Sequence, residues 1–271
     1  MFAKRIFFFL LILTSSSALV GQNWTFQEES RIKGRFTSFS VDNFGRIHLC
    51  QKDVITQLSK ELDTLFTSSL KSIYPTSIES RKSFRTLLFD SERSSILFLD
   101  NTLTPVQEES DLVLLGIQQP ILVAESFNGN AIWVLDAANM RLLKLNDRLE
   151  IIKQTENLNN LFNETELPAQ MLEANDFLYI LLPNKGIAVF DIFGSFSTII
   201  QAPSTSISVW NNHLFSLEGK SIVAYNAKNL HLPEATYTIP DETQAIQITQ
   251  SKTYLLQKNR LLIGKFLKSD K

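Results

Sequence analysis

The chain has 271 residues, of which 44% are apolar, so it can bury a large core in one domain or in two smaller ones. Its formal charge is −2, which excludes the strongly basic balance of a nucleic-acid-binding protein. The single cysteine, Cys50, excludes an intramolecular disulfide, so stability must come from packing. We expect Cys50 to be a small buried hydrophobic residue at the end of a strand.

The first 21 residues have the pattern of a cleaved signal peptide. Lys4 and Arg5 form a charged start, Ile6 to Leu13 an apolar run, and Thr14 to Ala18 a tail of mostly small residues. The apolar run is too short to span a bilayer, which takes roughly 20 residues. We expect cleavage after Ala18 or after Gly21, and an exported product in the periplasm or on the outer cell surface, with no transmembrane segment after cleavage. The alternative is a leader that is retained as a membrane anchor.

Short apolar strands recur along the rest of the chain with a period of about 41 residues, and the second strand of each unit serves as its anchor. The anchors are Ile47, Ile96, Ile132, Leu178, Leu214 and Tyr254. Units of this length with several short strands are typical of propeller blades. The sequence therefore predicts an all-β, six-bladed β-propeller that forms a single domain over residues 22–271.

Turn chemistry supports this alignment, because an apolar first strand and a polar turn precede each anchor. The turns lie at 42–45, 90–93, 128–130, 174–176, 211–212 and 250–252. Third strands follow at 54–58, 142–145, 187–190, 222–225 and 261–266. In the second unit, Leu103 to Val106 is interrupted by Pro105, which predicts an edge position or a distortion there.

Two polar insertions, Lys71 to Ser83 and Thr155 to Pro168, explain the longer spacings. The second is predicted to form a short helical turn around Leu158 to Phe162. The last unit ends one strand short, and a propeller must close its ring or leave open sheet edges. We predict that Asn23 to Gln27 supplies the outer strand of the sixth blade.

The clearest unit is a β-hairpin over Ala131 to Leu145. One apolar run ends in Asp136, Asn139 lies in the turn, and Arg141 opens the second run. Both runs are apolar at nearly every position, so both faces of this sheet should be covered. The pattern resembles an NHL-type propeller repeat, and the chain is similar to uncharacterised exported six-bladed propellers of Gram-negative bacteria. That resemblance implies a fold and a compartment, but no activity.

Three aspartates, Asp100, Asp136 and Asp191, each follow an apolar strand at positions that the alignment treats as equivalent. Carboxylates in such positions can converge on a metal in a central channel. Repetition in each blade instead favours aspartates that accept backbone hydrogen bonds in their own turns. Arg141 is expected to pair with Asp136 across the hairpin turn.

The histidines, His48, His213 and His231, lack the spacing and the cysteine partners of a zinc site. We expect His48 and His213 to be half-buried and hydrogen-bonded. The sequence contains no nucleophile elbow, phosphate-binding glycine loop or dinucleotide fingerprint. No catalytic, cofactor-binding or metal-binding residue is therefore assigned.

Two further groups of side chains have both a functional and a structural interpretation. Trp133 and Trp210 could form a carbohydrate-stacking platform, but both lie in apolar strands and are expected to pack between blades. The basic cluster of Arg81, Lys82 and Arg85 is expected to be a solvated loop surface.

These observations favour a monomeric binding or scaffold module of the cell envelope, without a cofactor. Its partner would be another envelope protein or a glycan, held by loops on one face of the ring, where insertions commonly carry recognition. The alternative is a metal-dependent propeller hydrolase of the sugar-lactonase type, with its site in the central channel.

Overall fold

The computed structural model describes residues 24–71, 73–82, 84–127, 130–155, 157–161 and 167–268. The regular structure in these ranges is all β. No helix within them has the length and apolar character needed to cross a membrane. The predicted leader, residues 1–21, lies outside the described residues.

The first strand, β1 (Trp24–Lys33), belongs to a larger sheet, and the next sixteen strands form four sheets of four strands each. Within each of these sheets, neighbouring strands follow one another along the chain and pair antiparallel. Group one contains β2 (Ser38–Val41), β3 (Ile47–Gln51), β4 (Val54–Leu58) and β5 (Thr64–Ser69). Group two contains β6 (Ser77–Glu79), β7 (Arg85–Asp90), β8 (Ser95–Asp100) and β9 (Ser110–Asp111).

Group three contains β10 (Pro120–Glu125), β11 (Ile132–Asp136), β12 (Arg141–Leu145) and β13 (Ile151–Gln154). Group four contains β14 (Gln170–Ala174), β15 (Phe177–Leu182), β16 (Gly186–Asp191) and β17 (Phe196–Ile200).

The remaining strands and β1 form an eight-stranded sheet made of two antiparallel groups. Group five contains β18 (Ser206–Trp210), β19 (His213–Glu218), β20 (Ser221–Asn226) and β21 (Asn229–Thr238). Group six contains β22 (Thr243–Ile248), β23 (Thr253–Gln257), β24 (Arg260–Lys268) and β1. The two groups join through a short parallel pairing, in which Trp24 and Thr25 of β1 lie beside Tyr237 and Thr238 of β21.

The N-terminal strand β1 pairs antiparallel with β24 along its length, from Trp24 opposite Lys268 to Lys33 opposite Arg260. The pairing predicted between Asn23 to Gln27 and the end of the chain is therefore present for residues 24–27, while Asn23 lies outside the described residues. Phe26 is buried in this pairing and contacts Phe266 edge to face at 6.1 Å.

Buried apolar side chains lie between consecutive groups, as covered sheet faces require. Trp133 of group three packs with Leu178 of group four, and Leu217 of group five packs with Leu255 of group six. A further cluster joins the first group to the last, since Leu49 packs in the same cluster as residues of β23 and β24. Each sheet thus shields the apolar faces of its neighbours from water.

The hairpin predicted over Ala131 to Leu145 is confirmed. Strands β11 and β12 pair in register, with Asp136 opposite Arg141 and Ile132 opposite Leu145. All five residues of β11 are buried, as expected for a strand covered on both faces.

The alignment of the second unit was wrong by one strand. Ile96 lies in β8, which is the third strand of its group, and the run predicted as a first strand is β7, the second. The true first strand, β6, lies inside the predicted insertion. It has a single apolar residue, Ile78, which is too few to show the alternating pattern of a strand. Leu103 to Val106 forms only an isolated bridge between Leu99 and Pro105, and not a strand.

In the second insertion, a turn covers residues 159–161, and the N–H of Leu161 donates to the carbonyl of Leu158 at 2.8 Å. The described part of this segment is a turn and not a helix, and Phe162 lies outside the described residues. Leu158 and Leu161 pack against the cluster between groups three and four, which fixes this connection to the core.

Glutamine side chains tie the first strands of neighbouring groups together. Gln247 of β22 accepts from the N–H of Val41 at 2.8 Å and donates to its carbonyl at 2.7 Å. Gln170 of β14 bonds the N–H and carbonyl of Ile207 in the same way, at 2.8 and 2.9 Å. A carboxamide carries both a donor and an acceptor, so one side chain satisfies both groups of a facing peptide.

Serine hydroxyls make two further links between first strands. The N–H of Ser80, next to β6, donates to Ser40 Oγ of β2 at 3.0 Å. The N–H of Ile248 in β22 donates to Ser208 Oγ of β18 at 2.9 Å. An axial cavity of about 300 Å³ lies among these first strands.

Candidate functional site

Five of the turns that join a first strand to a second strand converge around one cavity of about 640 Å³, which we call the mouth. Antiparallel pairing places all turns of this kind at the same end of the first strands. The mouth is lined by Asn43, Arg81, Lys82, Glu125, Phe127, Asn130, Ala174, Asn175, Val209, Trp210 and Asn211. It shares Arg81 and Val209 with the axial cavity, so the two spaces adjoin.

The backbone conformation of the turns explains which residue types occur at the mouth. Asn175, Asp176 and Asn211 have φ angles of 53°, 64° and 52°, in the left-handed region that asparagine and aspartate tolerate best among residues with a side chain. A two-residue turn of this kind brings two strands together tightly. As a consequence, the rim of the cavity carries carboxamide groups that both donate and accept hydrogen bonds.

A buried ion pair forms part of the boundary of the mouth. The carboxylate oxygen Oε1 of Glu125 accepts from Arg85 Nε at 2.7 Å and lies 2.6 Å from Nη2. The N–H of Glu125 donates to Oε2 of Glu79 at 2.7 Å, which links β10 to β6. Arg81 bonds Glu79 Oε1 at 3.0 Å and the carbonyl of Glu173 at 3.1 Å. Arg85 is thus ion-paired with a carboxylate of the next group and Arg81 with one of its own group, so the prediction of a solvated loop surface was wrong for these two residues.

The second carboxylate oxygen of Glu125, Oε2, lacks among the described residues the kind of partner that Oε1 has in Arg85. Its side chain is 3% exposed, and Oε2 accepts no hydrogen bond from the described residues. Burial raises the pKa of the Glu125 carboxyl, against the opposing effect of Arg85. Burial also lowers the pKa of the Lys82 ammonium group, against the attraction of Glu125. A buried acceptor without a donor marks a place where a ligand's donor would be stabilised.

The carboxylate of Glu173 gathers several donors from the neighbouring group. It accepts from Ser126 Oγ at 2.9 and 3.0 Å, from the N–H of Phe127 at 2.8 Å, and from the indole N–H of Trp133. Lys144 Nζ lies 3.4 Å from the same carboxylate and 4.7 Å from the Trp133 ring centroid. Glu173 therefore holds the turn that carries Phe127 into the mouth.

The two tryptophans have different environments. Trp133 is fully buried between groups three and four, as predicted. Trp210 is 37% exposed and lines the mouth with Phe127, which is 61% exposed. The expectation of packing alone therefore fails for Trp210, because the last residue of β18 reaches the open end of the first strands.

No family model matches the sequence, and comparison with curated proteins finds no match. Solved structures do match over most of their length. They include virginiamycin B lyase of Staphylococcus aureus with quinupristin (13% identity, 89% of this chain and 99% of that chain, TM-score 0.64). The Pan2 WD40 domain of Neurospora crassa matches at 9% identity, over 91% and 96%, with a TM-score of 0.64. BamB of Moraxella catarrhalis matches at 9% identity, over 89% and 100%, with a TM-score of 0.56. The chain has a β-propeller fold.

The propeller's aspartates serve turns, but not at three equivalent positions. Asp100 and Asp191 end third strands and accept from backbone N–H groups in their own turns, at 2.8 to 2.9 Å. Asp136 ends a second strand and accepts from the N–H of Gln119, outside its turn, at 3.0 Å. The predicted pairing of Asp136 with Arg141 is confirmed at 3.1 Å. Asp100 had been matched with Asp136 because the second unit was shifted by one strand, whereas Asp191 ends a third strand in an unshifted unit and was never equivalent to Asp136.

The propeller's histidines lie apart from one another. His213 is half-buried and bonds Glu234 at 2.8 Å, as expected for a hydrogen-bonded histidine, and His231 is exposed. His48 is buried rather than half-buried and contacts Gln57 Nε2 at 2.7 Å. Cys50 is buried as predicted, and burial raises its pKa to about 12. Among the described residues, no three His, Cys, Asp or Glu side chains lie close enough together to hold a metal ion.

His48 gives a testable pH dependence. Burial lowers its pKa from 6.5 to about 4, with Arg46 acting in the same direction and Asp42 against it. The unfolded chain therefore binds a proton between pH 6.5 and 4 that the folded protein does not, so stability falls as the pH falls through this window. The loss should reach about 3 kcal/mol. Urea unfolding at pH 7 and pH 4 measures it.

The His48→Gln variant should lose this part of the pH dependence, since glutamine can contact Gln57 without titrating. The matched His231→Gln variant changes an exposed side chain and should keep the wild-type loss of stability. An equal response in wild type and His48→Gln would contradict the assignment.

Sequence reasoning missed the acidic residues Glu79, Glu125 and Glu173, which organise this site. One signal was present: each lies at or near the end of a first strand in three consecutive groups, 46 and 48 positions apart. The shifted alignment of the second unit concealed that repetition, because it placed Glu79 in an insertion.

Proposed function

We propose that the protein is an exported six-bladed propeller that acts as a binding module of the cell envelope, with the mouth as its binding site. No catalytic role is assigned. The single observation that carries the proposal is the convergence of five turns around a cavity in which Trp210 and Phe127 are exposed and a buried acceptor is unsatisfied. A concave site with aromatic walls and a few polar groups is the usual form of a small-ligand site.

The packing of the groups supports a count of six blades. The eight-stranded sheet divides at the short β1–β21 pairing, and the two halves pack their apolar faces against each other through Leu217 and Leu255. We therefore infer that it contains two blades that share an edge, and that β1 completes the sixth. Within this proposal, the hairpin of group three is an NHL-like repeat.

Export and compartment are the remaining parts of the proposal. They are supported by the basic start, the short apolar run and the tail of mostly small residues in the first 21 positions. The periplasm or the outer cell surface would then offer an envelope protein or a glycan as the partner. The matched solved structures include a lyase and a WD40 domain, so the fold by itself does not choose among functions.

The test is crosslinking in intact cells with a diazirine amino acid at Asn211, in the mouth. The control carries the same group at Leu232, an exposed residue in β21 outside the mouth. We expect an adduct at Asn211 that is absent at Leu232 and is lost when Trp210→Ala is added. The protein recovered from the envelope should begin at residue 19 or 22. Equal labelling at both positions would overturn the mouth as the site.

A metal assay of the same purified protein addresses the hydrolase alternative. Stoichiometric calcium or zinc would favour a metal-dependent hydrolase over a binding module. A protein without bound metal but with a mouth-specific adduct would agree with the proposal.

A further inference from the structure

We propose that the mouth binds a neutral saccharide, with Trp210 as the stacking platform and Glu125 Oε2 as the acceptor for a sugar hydroxyl. This inference rests on the mouth being the binding site, and it specifies the class of ligand. Three independent features of the described residues point to it: an exposed indole face, a carboxamide rim and a buried acceptor.

The aromatic feature is Trp210, which is 37% exposed beside Phe127 in the mouth. A rigid, partly buried indole presents a flat apolar surface next to polar groups, and it has little conformational entropy to lose on binding. The apolar C–H face of a pyranose ring matches such a surface, while its edge carries hydroxyl groups.

The rim supplies partners for that hydroxyl edge. Asn130, Asn175 and Asn211 line the cavity with Asn43, and each carboxamide has both donors and acceptors. A hydroxyl group also donates and accepts, so a rim of amides can hydrogen-bond to a polyol and does not require a charged ligand. The two cations that also line the mouth are matched by carboxylates: Arg81 pairs with Glu79 at 3.0 Å, and Lys82 is attracted by Glu125.

The acceptor is Glu125 Oε2, which is buried and has no donor among the described residues. The charge of this carboxylate is already balanced, since Arg85 binds Oε1 at 2.6 to 2.7 Å. What Oε2 lacks is a hydrogen-bond donor and not a second cation. A neutral hydroxyl therefore fits the vacant acceptor better than an ammonium group does, which favours a saccharide over a zwitterionic peptide.

The probes are neutral di- to hexasaccharides of glucose, galactose, mannose or N-acetylglucosamine, titrated by calorimetry with the full-length purified protein. We expect at least one series to bind. Trp210→Ala should weaken that binding about tenfold, whereas Trp210→Phe should retain most of it. The matched control is Phe193→Ala, which removes an aromatic residue that is 60% exposed and lies outside the mouth; its affinity should be unchanged.

A second variant, Glu125→Gln, tests the acceptor separately. Its amide oxygen would stay toward Arg85, so an NH₂ donor would replace Oε2, and we expect the saccharide affinity to fall about tenfold. A folded variant, verified by circular dichroism, with undiminished affinity would overturn the role of Glu125. Binding of zwitterionic tripeptides instead of saccharides would overturn the ligand class.

Different experimental results would reject the saccharide as the ligand and the mouth as the binding site. Absence of saccharide binding, together with a mouth-specific crosslink to a protein, would reject the saccharide and leave the mouth as a binding site. Saccharide binding that neither Trp210→Ala nor Glu125→Gln weakens would place the ligand elsewhere on the propeller.

Discussion

Deleting residues 23–27 should lower the melting temperature by roughly 10 °C or more. The deletion removes Phe26, whose burial alone contributes about 4 kcal/mol by comparison with other Phe truncations, and 1 kcal/mol shifts the melting temperature of a domain this size by about 2–4 °C. It also leaves part of β24 without its antiparallel neighbour, from Lys268 to Lys265. Differential scanning calorimetry of the shortened and the full-length protein measures the effect.

A single substitution on the opposite strand should have the same consequence. A Cβ at Gly264 would lie 2.0 Å from the carbonyl oxygen of Gln27 and 2.7 Å from the ring of Phe26. Because the contact at 2.0 Å is with the backbone of Gln27, no side-chain movement can relieve it, and Gly264→Ala must displace β1. Because both changes remove the same pairing, combining the substitution with the deletion should cost little more than either alone.

The control for this pair of changes is Leu267→Ala, which truncates a residue of the same strand that is 44% exposed. It should alter stability by less than about 0.5 kcal/mol. If deletion of residues 23–27 leaves the melting temperature unchanged, β1 does not contribute to stability and the proposed closure of the sixth blade fails.

Replacing Glu173 by alanine should cost about 4 kcal/mol, because a buried carboxylate would be lost while its donors stay buried. The indole N–H of Trp133, the hydroxyl of Ser126 and the ammonium group of Lys144 would all lose an acceptor. Urea unfolding followed by fluorescence measures the change, since Trp133 reports on this interface. The turn that carries Phe127 should loosen as well, because its N–H also binds Glu173.

Two variants show whether the loss comes from this network. Glu61→Ala removes an exposed carboxylate that forms a surface ion pair with Lys60 at 3.6 Å, and it should change stability by no more than about 0.5 kcal/mol. Adding Lys144→Met to Glu173→Ala should recover part of the loss, since it removes the buried cation that Glu173 had balanced. A Glu173→Ala protein as stable as wild type would show that these hydrogen bonds contribute no net stability.

Much of the strand pattern could be predicted from the sequence, because apolar runs and the polar residues of turns are local features of the chain. Strand β11 was located to the residue and β12 to within one residue, since each is an apolar run next to a polar turn. Strand β6 could not be found in this way, because its three residues include a single apolar one, Ile78. That omission shifted the second unit and made Asp100 seem equivalent to Asp136.

The mouth could be predicted only in part. Asn175 and Asn211 were recognised as turn residues, but a turn signal does not show which turns meet in space. Trp210 resembled a buried strand residue because its neighbours Ile207 and Val209 are apolar. Only the position of its side chain at the end of β18 shows that it reaches the cavity.

The sequence by itself determined the all-β class, the repeat and the hairpin of group three, since each depends on residues close together in the chain. Tertiary structure alone decided the site. Glu79, Glu125 and Glu173 are separated by more than forty positions in the sequence, and they share one network because neighbouring sheets bring the ends of their first strands together. Arg85 becomes a buried partner rather than a solvated cation for the same reason: the carboxylate that holds it comes from the next group along the chain.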